Sequence, residues 1–192
     1  TGRGDQTLSS AAVTGGGTMG AGIAHAFIRA GLFARLVEVS PMAASAALGR
    51  VKHLIDDDVA AGRLDKLAAR HTFNRLSVTT DWSGVELAEI AVEAVAETIE
   101  VKRDVFARLD RLTKPTAVLA SNTRSLRIDD MAAVTLHPER LIGLHFFNPV
   151  PKMPLVEIVR GKVSDEAAIA TAFSLVNRLG KTPIVCNDGV TI

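Results

Sequence analysis

Apolar residues along this chain fall into short runs, each closed by glycine, proline or charged residues, and the runs alternate between two periodicities. Ala11 to Thr14 reads as a short buried strand, and Met19 to Ala30 as a helix reached through a glycine turn. Phe33 to Val39 is a second apolar run. Ser40-Pro41 then supplies a cap and a proline at the first helical position, predicting a long helix that runs to about Ala61 and is closed by Gly62. Asp65 to Arg70 begins a short helix, and Leu76 to Thr79 has the character of a strand. Ile90 to Val95 is a strand with Glu93 embedded in it; Ile99 to Leu112 returns to helical spacing. Thr116 to Ser121, Leu141 to Phe147 and Leu155 to Val159 are three further strands, the last two divided by Pro149, Pro151 and Pro154. Asp165 to Leu179 has an acidic start and Gly180 after its end, as a helix should, and Pro183 to Cys186 forms a last strand. Strands alternating with helices predict an α/β fold, a doubly wound, mostly parallel sheet with helices on both faces. No linker interrupts residues 11–188, which read as one domain between a polar lead-in, 1–10, and a short tail, 189–192.

The turn after the first strand narrows the fold further. Gly15, Gly17 and Gly20 have the G-x-G-x-x-G spacing of a Rossmann dinucleotide turn. Gly15 lets the chain turn off the strand, Gly17 lets backbone approach a pyrophosphate, and Gly20 lets the helix pack closely on the strand. Thr18 and Met19 open that helix, where free N–H groups and the helix dipole favour phosphate. Glu38 follows Gly20 by 18 residues, at the end of the second apolar run. That is the place of the acid that takes the adenosine ribose hydroxyls, and a carboxylate there repels a 2′-phosphate. The expected cofactor is therefore NAD rather than NADP.

Composition adds limits. The 192 residues carry a net charge of +1 and no long basic run, which argues against a nucleic-acid partner. A single cysteine, Cys186, gives no disulfide framework and no zinc cluster, as in a reducing compartment. No apolar stretch has the roughly 20 residues of a membrane span, and no apolar core marks a signal peptide at the N-terminus. Arg3-Gly4-Asp5 spells a cell-adhesion tripeptide, read as chance in a polar leader.

Oxidising an alcohol with NAD needs a base for the hydroxyl proton, and histidine has the matching pKa. His53, His71 and His137 sit among polar residues and read as surface groups; His25, in the first helix, reads as packed against the sheet. His145 ends a strand and precedes the proline-rich turn, at the sheet end where ligands of doubly wound folds bind. Glu157 interrupts the apolar run Leu155–Val159, where a carboxylate needs a partner. Two adjacent strands joined by the proline turn would bring the pair together, with Glu157 orienting the imidazole.

At these residues the chain resembles the NAD-binding domain of L-3-hydroxyacyl-CoA dehydrogenases. The match is carried by Gly15–Gly22, Val92–Glu97 with Lys102, Ala120–Thr123, His145–Pro151 and Pro154–Glu157, and extends over about residues 11 to 188. Ala61–Asp65 and Met153–Gly161 look more like the multifunctional fatty-acid oxidation proteins than the short single-function enzymes. The resemblance implies that His145 is the catalytic base and Glu157 its partner. It places Asn148 beside the reacting centre, Ser121 and Asn122 near nicotinamide or substrate, and Glu97 and Lys102 near the nicotinamide half of the cofactor. It implies oxidation of an L-3-hydroxyacyl-CoA to the 3-ketoacyl-CoA in β-oxidation. It further implies a hydratase domain and a C-terminal helical domain in a longer parent chain, or a homo-oligomer. The compartment implied is the cytoplasm, or the mitochondrial matrix or peroxisome in a eukaryote.

Two departures stand out. Where the family reads Ser-Asn-Thr-Ser, with the second serine on the substrate oxygen, this chain has Arg124, permanently charged and only a donor. The sequence also stops at Ile192, where the family continues into the helical domain that completes the acyl-CoA cleft. Two other readings follow: a nucleotide-binding domain with little turnover by itself, or a dehydrogenase of a small 3-hydroxy acid.

Overall fold

The computed structural model describes residues 7–189, so the Arg3-Gly4-Asp5 tripeptide and residues 190–192 of the tail lie outside the described residues. Eight strands form one sheet in the order β3-β2-β1-β4-β5-β6-β7-β8. In chain order the strands and helices are β1 (Ser10–Thr14), α1 (Thr18–Arg29), β2 (Phe33–Val37), α2 (Pro41–Ala60), α3 (Lys66–Phe73), β3 (Leu76–Thr79) and β4 (Ile90–Glu93). They continue with α4 (Ile99–Leu112), β5 (Val118–Ser121), α5 (Ile128–Ala132), β6 (Leu141–Phe146), β7 (Leu155–Arg160), α6 (Glu166–Arg178) and β8 (Thr182–Asn187). Strands β1 to β6 run parallel; β7 is antiparallel to β6, and β8 parallel to β7. The expected doubly wound, mostly parallel sheet is what the chain forms.

Side chains of a strand alternate between faces, and the core divides accordingly. Ala11 and Val13 of β1 join Ile23, Phe27, Leu36 and Val176 on one face. Ala12, between them, joins Phe106, Leu109, Leu119 and Met131 on the other. The sheet is therefore apolar on both sides, and polar chemistry is confined to its ends.

Where element ends differ from the sequence reading, a side chain explains the difference. The lead-in ends before Ser10, because Glu89 Oε2 accepts the N–H groups of Ser9 (2.6 Å) and Ser10 (3.1 Å) and draws Ser10 into β1. Strand β4 stops at Glu93 rather than Val95, since Glu93 Oε1 bends the chain back to accept the Val95 N–H at 2.7 Å. Helix α5 is only five residues long, too short to show a period, and the sequence reading passed over it. Ser40 caps α2 as expected, its hydroxyl accepting from the Ala43 N–H at 3.2 Å.

His25 is buried in α1, as expected, and its ring nitrogen is turned to α2. Its Nε2 lies 2.8 Å from Asp58 Oδ2 in the interior, and Arg29 (3.1 Å) and Arg63 (2.7 Å) hold the same carboxylate. Burial is the main force on His25 and lowers its pKa, although the Asp58 hydrogen bond pulls the other way. Burial pushes the Asp58 pKa up, but hydrogen bonds from Arg63 and His25 outweigh it and leave the group below its ordinary value. In the unfolded chain His25 takes a proton near pH 6.5; the native state resists that proton. Its stabilisation is therefore present above pH 6.5 and lost as pH falls through 6.5 toward the lower folded value. The urea midpoint is expected to drop between pH 7.5 and 5.5, and His25→Gln to flatten that slope. A slope unchanged in the variant would show that His25 is not its source.

Candidate active site

The carboxyl ends of β1, β2, β4, β5 and β6, together with the amino-terminal half of the antiparallel β7, carry the site residues. At β1 the chain turns at Gly15, whose φ of +88° is left-handed. A Cβ there would stand 2.7 Å from the Ala94 carbonyl oxygen. A Cβ on Gly20 would come within 1.7 Å of the Gly15 carbonyl oxygen, so the close approach that Gly20 permits is between helix and turn rather than helix and strand. Gly17 differs: a Cβ there would meet nothing within 4 Å. Its freedom from a side chain leaves open space in front of α1, whose N-terminus no side chain caps. Glu38 reaches this turn directly. Its Oε1 accepts the Gly16 N–H at 2.6 Å and its Oε2 the Val39 N–H at 3.1 Å. A carboxylate offers about four lone-pair positions, so two remain for hydroxyl donors. Arg50 of α2, passed over in the sequence reading, donates to the Gly16 carbonyl at 2.9 Å. An open glycine, an uncapped helix start and a half-used carboxylate together fit a dinucleotide.

At the other end of the crevice, antiparallel register sets His145 of β6 opposite Glu157 of β7. Their side chains meet, His145 Nδ1 lying 2.9 Å from Glu157 Oε2, and both residues are buried. With Nδ1–H donating to the carboxylate, Nε2 is left with its lone pair, the form of a general base. The Phe147 ring sits against the imidazole, centroids 4.4 Å apart. Behind the turn, Lys181 donates to the carbonyls of Val150 (2.5 Å) and Met153 (2.7 Å).

Between the two ends lies a polar floor. Glu93 has no exposed surface; its Oε1 takes the Lys102 ammonium at 2.7 Å and its Oε2 the Ser121 hydroxyl at 2.6 Å. Lys102 also reaches Glu97 Oε2 at 3.1 Å. Glu97 in turn accepts from the Thr123 hydroxyl and from the N–H groups of Arg124 (3.2 Å) and Ser125 (3.4 Å). Partial burial raises its pKa, yet the bonds from Thr123 and Lys102 overcome this and hold it at about 2. Glu97 is thus an anion at any ordinary pH.

A cavity of about 1070 Å³ opens above this floor, and its wall includes Thr18, Met19, Glu97, Asn122, Arg124, Ser125, His145, Asn148 and Glu157. Ser121, expected near nicotinamide or substrate, and Lys102, expected near the nicotinamide half of the cofactor, do not line the cavity: both are buried, held by Glu93. Asn122 does line the cavity, and its Oδ1 accepts the Phe146 N–H at 2.9 Å. Its amide N–H donors are thereby left for a ligand. Glu93, Thr123 and Ser125 were given no role in the sequence reading. The argument applied to Glu157, a carboxylate inside an apolar strand, identifies Glu93 equally well.

The fold and the glycine turn define a Rossmann dinucleotide-binding domain. The family model for the 3-hydroxyacyl-CoA dehydrogenase NAD-binding domain matches residues 10–189, and the chain belongs to this family, whose cofactor is NAD. It is 41% identical over 176 residues to a probable 3-hydroxybutyryl-CoA dehydrogenase of Bacillus subtilis (strain 168), spanning 92% of this chain and 61% of that one. It superposes on crystal structures of M. tuberculosis FadB2 (TM-score 0.92, 39% identity, 95% of this chain and 65% of that one) and of the dehydrogenase part of multifunctional enzyme 1 from C. elegans (TM-score 0.85, 30% identity, 94% and 41%). The likeness is thus not confined to multifunctional chains, and the chain spans less than two thirds of each of these relatives.

The glycines separate two effects. Gly17→Val is expected to change stability by no more than about 1 kcal/mol, as a helix N-cap exchange, while weakening NADH binding at least tenfold. Gly20→Ala forces backbone apart and should lower both, its stability by about 1–3 kcal/mol or more. Urea unfolding and calorimetric titration measure the two quantities; NADH affinity unchanged in Gly17→Val would remove the pyrophosphate from this turn.

Proposed function

We propose that this chain is the cofactor-binding half of an NAD-dependent dehydrogenase that oxidises the 3-hydroxyl of an L-3-hydroxyacyl-CoA to the 3-keto compound, in the setting of fatty-acid β-oxidation. The observation that carries the reading is the His145–Glu157 pair, which opens into the same cavity as the uncapped start of α1. When bound, NAD supplies the acceptor for the hydride that leaves the substrate carbon. The protein supplies the rest. N–H groups at the start of α1, at Thr18 and Met19, hold the pyrophosphate. Glu38 takes ribose hydroxyls and repels a 2′-phosphate. His145 Nε2 removes the hydroxyl proton, and Glu157 stabilises the imidazolium that forms. Asn148 and Asn122, both in the cavity wall, donate to the substrate oxygen or the cofactor amide. Lys102 acts through Glu97, whose bonds shape the 123–125 segment.

The relatives' greater length supports a second part of the proposal. A helical domain beyond the matched region closes the acyl-CoA cleft, in a longer parent chain, which in multifunctional relatives carries a hydratase domain, or in a homo-oligomer. The 192-residue chain would then bind NAD(H) yet turn over slowly, because closure and orientation of reactants contribute on the order of 7–11 kcal/mol of barrier lowering when complete. Among the described residues, no helix is long and apolar enough to cross a membrane.

Calorimetric titration is expected to give NADH at least tenfold tighter than NADPH; equal or tighter NADPH would refute the role of Glu38. In NADH-dependent reduction of acetoacetyl-CoA, His145→Gln should lose about 10²–10⁴-fold in kcat, and Glu157→Gln less. The chain should be much slower than a version extended by a family helical domain. Equal rates would show that this half is sufficient.

A further inference from the structure

The cavity wall holds four ionisable side chains, and three of them already have partners. Glu157 is bonded to His145. Glu97 is bonded to Lys102, Thr123 and two backbone N–H groups. The fourth is Arg124, the one lysine or arginine among the described residues lining the cavity. Its backbone N–H is fixed on Glu97 at 3.2 Å, but its guanidinium has no hydrogen-bond or ion-pair partner among the described residues.

Its place in the sheet says which ligand it serves. The carboxyl ends follow one another as β1, β4, β5, β6. Arg124 lies three residues beyond the end of β5. It is therefore one strand from the base His145 and two from the glycine turn, at about 4.8 Å per strand. The phosphates have their own donors at α1. Arg124 and His145 line the same cavity, which puts the guanidinium on the side away from the phosphate donors.

We infer that Arg124 binds a carboxylate carried by the hydroxy substrate itself. The inference rests on the dehydrogenase reading of this site. A guanidinium stays charged at any working pH and offers donors in a fork that matches a carboxylate with two parallel bonds. Arg124 is exposed, so its guanidinium is hydrated in the free protein; a neutral short acyl thioester set against it displaces part of that water and supplies no counter-charge, a small cost to binding. A carboxylate removes this penalty. It can come from either of two sources: the C1 group of an unesterified 3-hydroxy acid, or the far end of a dicarboxylic 3-hydroxyacyl thioester.

Binding separates the sources without turnover. NADH-saturated protein is titrated calorimetrically with 3-hydroxybutyrate, 3-hydroxyadipyl-CoA and 3-hydroxybutyryl-CoA, as wild type, Arg124→Met and Arg124→Lys. Arg124→Met is expected to weaken a carboxylate-bearing ligand at least tenfold and to leave 3-hydroxybutyryl-CoA within twofold, with Arg124→Lys between. Loss confined to 3-hydroxybutyrate assigns the carboxylate to C1; loss confined to 3-hydroxyadipyl-CoA assigns it to the far end. Equal effects on all three ligands, no effect on either carboxylate, or failure of both carboxylate ligands to bind wild type would overturn the inference. NADH oxidation with acetoacetate, 3-oxoadipyl-CoA and acetoacetyl-CoA is followed in parallel. No turnover of any of them by the version extended by a family helical domain, with the binding result intact, would refute the dehydrogenase reading and leave Arg124 as a carboxylate site.

Discussion

Glu93 is a carboxylate sealed from solvent at the carboxyl end of the inner strand β4, and the arrangement of the crevice depends on how it is neutralised. Lys102 from α4 and Ser121 from β5 converge on it, and Lys102 continues to Glu97. One buried charge thereby binds together two strands, a helix and the segment that forms the cavity wall. Such a cluster has a sharp tolerance. Removing Lys102 leaves the Glu93 carboxylate uncompensated in the interior, at a cost of about 3–5 kcal/mol. The residues beneath the wall are thus as constrained as those that face it, although none of them touches the cavity.

The crevice follows from strand order. Chain topology places the glycine turn after β1, Glu38 after β2, the anchored Glu97 after β4, the Asn122–Ser125 segment after β5 and His145 on β6. Across these ends follow, in order, the free N–H groups at the start of α1, a fixed anion, the Asn122 amide and the imidazole. The reversal of β7 supplies what a parallel neighbour could not: antiparallel register puts Glu157 directly opposite His145.

Much of this was legible in the sequence, because the signals were local or strongly constrained. Glycine spacing at 15, 17 and 20 fixed the turn, helical periodicity gave α4 to the residue, and a carboxylate in the run 155–159 pointed to its partner twelve positions away. What escaped was set by contacts between distant residues. Nothing near Ser121 or Lys102 in the sequence says that Glu93 turns both away from the cavity. Likewise, helix period alone could not tell that the ring nitrogen of His25 is turned to Asp58 on α2.

Lys181 deserves a different reading from that of a simple tether. It lies past α6, immediately before the edge strand β8, yet its ammonium closes the turn between β6 and β7. Burial lowers its pKa, so the charge is held there against some resistance. Sheet edges are ordinarily the first parts to open in the native state. Here a fluctuation that lifts β8 also draws the lysine from the turn and frees the loop that carries Asn148. The outermost strand is thereby tied, through one side chain, to the turn at the His145 end of the crevice.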